Sequence, residues 1–72
     1  MNLNYKEKGY MTAKEFSKLL GISYSKVIYW DEKGVLLPVV RTPGGRRYYN
    51  RNSLVEALFL LKEEGYNIKR GK

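Results

Sequence analysis

Gly21, Gly34, Pro38 and the run Pro43-Gly44-Gly45 punctuate the middle of this chain so closely that no stretch between Gly21 and Gly45 exceeds about a dozen residues. Glycine adopts the left-handed backbone at little steric cost and so ends helices. Proline lacks the N–H that a continuing helix needs. The chain is therefore restricted to short helices joined by tight turns, plus one hairpin. With 72 residues it has room for one small domain. It has no cysteine to staple that domain, so the core rests on well-placed Leu, Ile, Val, Phe, Trp and Tyr.

The segments read in order. Residues 1–10 are polar and aperiodic and are expected to form a flexible leader, with Tyr5 and Tyr10 as packing candidates. Thr12 and Glu15 have capping-box spacing, which predicts a helix starting there. Ala13, Phe16, Leu19 and Leu20 fall on one face of it. Gly21 ends it, and Ile22 plugs the turn. Ser23 caps a second helix, predicted from Tyr24 to Lys33, with Val27 and Trp30 (and Ile28 at the margin) on its buried side and Gly34 at its end. Two short helices about a glycine turn make a helix-turn-helix pattern. Residues 39–41 read as a strand, Pro43-Gly44-Gly45 as the hairpin turn and residues 46–49 as the returning strand. Alternation puts Arg47 and Tyr49 on one face and Arg46 and Tyr48 on the other, and Tyr49 is taken as the packed tyrosine. Asn50 caps a third helix reaching about Glu64, with Leu54, Ala57, Leu58 and Leu61 as its apolar stripe, widened by Val55 and Phe59. Gly65 closes it, and Tyr66 is a candidate hydrophobic partner for that closure. Residues 67–72 form a basic tail.

Charge supplies the functional clue. Fourteen Lys and Arg oppose seven Asp and Glu, for a net charge of +7. An anionic partner follows, nucleic acid before an acidic protein or a membrane surface. The basic residues concentrate where the turn does: Arg41, Arg46 and Arg47 flank the glycines, with no acid adjacent in sequence. Arginine side chains and glycine N–H groups are the usual partners of phosphate. Enzyme chemistry is disfavoured, because there is no His, no Cys and no paired-carboxylate setting. Gly44-Gly45 lacks the longer glycine pattern, opening a helix, of a nucleotide-binding loop. Neither a cofactor nor a metal site is expected. No apolar run approaches the ~18 residues of a membrane span, and the N-terminus lacks a signal peptide's apolar stretch, so a cytoplasmic location is expected.

Three stretches in this order, Gly21-Ile-Ser, Val27-Ile-Tyr-Trp-Asp-Glu-Lys-Gly-Val-Leu-Leu-Pro38 and Arg41-Thr-Pro-Gly-Gly-Arg-Arg-Tyr-Tyr49, resemble the winged helix-turn-helix of MerR-type regulators. The MerR-like domains of excisionase-type proteins and of some transposon serine recombinases share that resemblance, which spans residues 11–66. It implies a mainly α fold with a small β-hairpin, three helices plus a wing. It implies that the helix after Ser23 enters the major groove and that the 39–49 hairpin lies on adjacent backbone or minor groove. By motif position Arg41, Arg47 and Tyr49 match the family's wing pattern, and Tyr29 matches an aromatic that often meets phosphate. Ile28 stands where the family commonly has a basic residue, and Arg46 replaces a frequent Tyr or His. Family regulators continue into a long dimerisation helix and an effector domain. Residues 64–68 resemble the start of their next helix, which leaves two readings, a minimal protein or an N-terminal domain.

The candidate contact residues are therefore Ser23, Tyr24, Ser25, Lys26 and Tyr29 on the recognition helix, and Arg41, Thr42, Gly44, Gly45, Arg46, Arg47 and Tyr48 on the wing. An ordinary solvent-facing helix is the plain alternative for the first set and a solvated hairpin for the second. No Asn, Gln or Arg on the recognition helix offers bidentate base readout, so discrimination is expected to lean on the wing and on DNA shape. Lys14, Lys18, Lys69, Arg70 and Lys72 read as solvating charges. The expected partner is double-stranded DNA, without a membrane. The chain is expected to be monomeric alone, assembling side by side on DNA or tethered within a longer parent protein. The expected role is a small transcriptional regulator or an excisionase-like architectural factor. The alternatives are the DNA-targeting domain of a serine recombinase and a protein-interaction adaptor.

Overall fold

A computed structural model describes residues 8–65 of the chain. Tyr5, Tyr66 and the basic residues of the 67–72 segment lie outside the described residues. The element order is β1 (Met11–Thr12), α1 (Ala13–Leu20), α2 (Tyr24–Glu32), β2 (Val40–Arg41), β3 (Arg47–Tyr49) and α3 (Arg51–Glu63). Three helices surround a small antiparallel sheet of order β1-β3-β2. This is the expected winged helix-turn-helix with one addition, the strand β1. It pairs Met11 with Tyr49 and Thr12 with Tyr48. A two-residue strand has no periodicity of its own and exists only because β3 offers it an edge.

Local chemistry sets the helix ends. Thr12 Oγ1 accepts from the Glu15 N–H at 3.2 Å, and the Glu15 carboxylate accepts from the Thr12 N–H at 2.9 Å, completing the capping box. At the other end Gly21 takes φ 73°. Its N–H donates to the Lys18 carbonyl and that of Ile22 to the Ser17 carbonyl, the two-bond Schellman closure. The closure recurs after α2, where the Gly34 N–H donates to Asp31 and the Val35 N–H to Trp30. Asn50 caps α3 by a reciprocal arrangement with Ser53.

Trp30, Tyr49, Phe16, Leu61 and Val27 are the largest fully buried side chains. Phe16 of α1 stacks on Tyr49 of β3, with ring centroids 4.3 Å apart, so the sheet is fastened to the helical layer through aromatics. Tyr49 is thus the packed tyrosine of the pair. Two apolar assignments need correction. Leu19 is exposed, and Ser17 occupies the buried position on that side of α1. On α3 the buried face runs through Ser53, Ala57 and Leu61, with Leu54 and Leu60 partly covered. Leu58, Val55 and Phe59 face outward. α3 is apolar around most of its circumference, so spacing alone does not choose a face; the contact with α1 does.

The Tyr49 hydroxyl is buried and has no hydrogen-bond partner among the described residues. Burial pushes its pKa up to about 12, with the Asp31 carboxylate acting in the same direction. An unmade bond gives a buried hydroxyl nothing to offset its lost hydration. Tyr49→Phe is therefore expected to leave the melting temperature unchanged or to raise it. A loss above ~1 kcal/mol would show that the hydroxyl does find a partner.

Candidate nucleic-acid interface

α2 presents its candidate residues on two sides. Ser23 is the N-cap, its Oγ accepting from the Lys26 N–H at 3.1 Å, so its hydroxyl first organises the helix start. Ser25 and Tyr29, one turn apart, stand on an exposed stripe that Lys33 extends, with its ammonium 5.8 Å from the Tyr29 ring centroid. Tyr24 is exposed and turned toward the wing. Lys26 is placed differently from expectation. Its ammonium lies 2.8 Å from the Glu64 carboxylate and over the Trp30 ring, so it braces α2 against the end of α3. The same carboxylate accepts from Trp30 Nε1 at 3.4 Å. The Lys26 hydrogen bond, ahead of the Trp30 one, holds Glu64 below its ordinary pKa. Ile28, in the position where a basic residue is common, is partly buried against the core.

The wing is a tight hairpin in which Arg41 and Arg47 are directly paired across β2 and β3. The Thr42 N–H donates to the Arg46 carbonyl at 3.0 Å, the Gly45 N–H donates to the Thr42 carbonyl at 2.9 Å, and Thr42 Oγ1 accepts from the Arg46 N–H at 3.0 Å. Thr42 therefore shapes the tip from inside. Gly45 has φ 88°, a backbone that side chains rarely adopt, with open space around it, whereas a Cβ added at Gly44 would stand 3.9 Å from Thr42 Oγ1, an ordinary contact. Arg46 is exposed at the tip. Tyr48 is half-buried on the sheet face opposite Tyr49, between Thr12 of β1 and Val40 of β2.

The wing arginines have no acid adjacent in sequence, but the fold brings one beside two of them. Asp31, buried in the last turn of α2 at 6% exposure, accepts from Arg41 Nη1 and Nη2, each at 2.8 Å, and from Arg47 Nε. The Arg41 hydrogen bond is the main reason that the Asp31 pKa falls to about 2, against the opposing effect of burial. Both guanidinium pKa values rise in return, chiefly through the bond to Asp31. Asp31 is ten residues from Arg41 and sixteen from Arg47, beyond a search confined to the turn.

Between the starts of α1 and α2 and the wing tip lies an open cleft of about 620 Å³, lined by Thr12, Ala13, Lys14, Tyr24, Gly44, Gly45, Arg46 and Arg47. Three of those side chains are cations and none is an acid. Lys14, read from sequence as mere solvation, is one of them.

Comparison with known proteins fits this geometry. The family model described as MerR family regulatory protein matches residues 12–49, from the α1 cap to the end of β3. The chain belongs to the MerR family. Among solved structures, this MerR-family chain is similar to a transcriptional regulator of the MerR family from Bacillus cereus, with TM-score 0.66 and 23% identity. The likeness covers 82% of this chain and 46% of that one. At that identity it speaks for the fold, and the chain spans less than half of the regulator's length. A comparison with curated proteins finds no match. Among the described residues, no helix is long and apolar enough to cross a membrane.

Proposed function

We propose that this MerR-family domain binds duplex DNA and serves transcription regulation, acting by binding without a catalytic step. The observation that carries the reading is the cleft at the wing tip. Lys14, Arg46 and Arg47 converge there with glycine backbone and the Tyr24 ring, with no acid in its lining. A strand of phosphates fits such a trough, because arginine and lysine neutralise it while glycines let the backbone approach. On this reading Ser25, Tyr29 and Tyr24 of α2 enter the major groove beside it. Arg41, Arg46 and Arg47 hold the flanking backbone, together with the Gly44–Gly45 backbone. Ser23, Thr42 and Lys26 act one step back, as cap, tip brace and helix brace, and Tyr48 supports the wing from the sheet. Regulation is preferred over an excisionase-like or recombinase-targeting role because the family match carries it and no feature of the fold adds weight to recombination.

Salt titration tests the proposal. A domain that neutralises about four to six phosphates should show a log–log slope of about −4 to −5 between affinity and salt concentration. Fluorescence anisotropy on a labelled duplex, from low to physiological salt, measures it. A flat response removes the DNA reading and leaves an adaptor for an acidic protein.

A further inference from the structure

Arg41 and Arg47 present an electrostatic problem that the fold solves with one residue. They are direct cross-strand partners, so their side chains leave the hairpin on the same face. Like charges so placed repel. The Asp31 carboxylate accepts N–H groups from both, two from Arg41 and one from Arg47. Each guanidinium carries five N–H donors, so most of the pair's donors remain uncommitted to Asp31. The Arg41 side chain stays 48% exposed while Asp31 is only 4% exposed. The acid is thus hidden beneath the two cations, and solvent meets the arginines first. Asp31 also belongs to α2, while its partners belong to β2 and β3, so the same bonds fix the wing relative to the recognition helix.

We propose that Asp31 is a positioning residue for phosphate: it aligns Arg41 and Arg47 as one clamp and sets the distance between wing and α2. The proposal rests on the DNA-binding reading above and deepens it. It makes a prediction opposite in sign to simple charge counting. Asp31→Asn raises the net charge by one, and charge alone would tighten binding to a polyanion. A positioning role requires binding to weaken, because the two guanidiniums separate and must be ordered by the DNA itself.

The test uses the full chain and a labelled mixed-sequence duplex of about two helical turns, at a temperature where circular dichroism shows each variant folded. Asp31→Asn is expected to weaken binding about fivefold or more and to make the salt slope shallower by about one. A change in stability alone alters the folded fraction but leaves the slope of the folded population unmoved. In a double-mutant cycle, Arg41→Lys keeps the charge but cannot form the planar two-pronged fork on the carboxylate. It should weaken binding in the native background and do so much less when Asp31 is already Asn. If Asp31→Asn fails to fold, Arg41→Lys at its half-exposed position still decides, through weaker binding at constant charge. Equal or tighter binding by Asp31→Asn, additive effects in the cycle, or unchanged binding by Arg41→Lys when it stands alone, each overturns the positioning role. The DNA reading survives those results, since it fails only if the native chain ignores duplex DNA or responds flatly to salt.

Discussion

Trp30→Ala is expected to unfold the domain rather than to remove binding selectively. Trp30 lies in the last turn of α2, 1% exposed, among the buried residues contributed by all three helices and by Tyr49. It also joins two braces at once: its Nε1 donates to Glu64 and its ring lies under the Lys26 ammonium. Truncating a buried tryptophan costs about 3–5 kcal/mol. A domain of this size has on the order of 5 kcal/mol in total, with no disulfide in reserve. Circular dichroism with thermal melting is the measurement. A variant that stays folded with native-like melting but no longer binds DNA would place Trp30 on the contact surface instead.

Replacing the two wing arginines that bind Asp31, Arg41→Ala with Arg47→Ala, is expected to abolish most duplex binding and to reverse the acid response of stability. For binding, Arg47→Ala alone should cost roughly 1–3 kcal/mol, whether its partner is a base or a phosphate. For stability the group to follow is Asp31. Its folded-state pKa of about 2 lies below the ordinary 3.8. A depressed carboxylate stabilises the fold above its unfolded pKa, and that contribution is lost as pH falls through the folded value. The native chain should therefore lose on the order of 2 kcal/mol between about pH 4 and pH 2. In the double variant Asp31 has lost both partners and the cover they gave it, so only the burial that α2 itself provides still acts, and it raises the pKa. Its ionised form then opposes folding at neutral pH, and stability should increase as pH falls. Adding Asp31→Asn should restore neutral-pH stability without restoring binding. Melting curves from pH 7 to pH 2 check the sign. A double variant with the native acid profile would show that the arginines do not set the Asp31 charge state.

Much of the fold was legible because its signals are local. A capping box at Thr12 and Glu15, left-handed glycines at 21 and 34, and the glycine turn at 44–45 act on neighbours within a few residues. The backbone obeys them whatever surrounds it. The register of β3 was legible too, since alternation places Arg47 beside Tyr49. If Tyr49 packs inward, the Arg47 stem starts on the protein side and must find a partner there. The partner is Asp31, buried in the last turn of α2.

The sequence by itself determined the number of elements, their ends, the basic hairpin and its likeness to a regulator family. Those follow from steric preference, hydrogen-bond closure and charge, all written in short stretches. Only the tertiary structure decided which side of α3 is covered, that Met11–Thr12 becomes a strand, that Lys26 turns to Glu64, and that Arg41 and Arg47 share a buried acid. Each of these depends on the meeting of groups far apart in the chain. A side chain's neighbours across that distance are set by the packing of whole elements, which no local pattern contains.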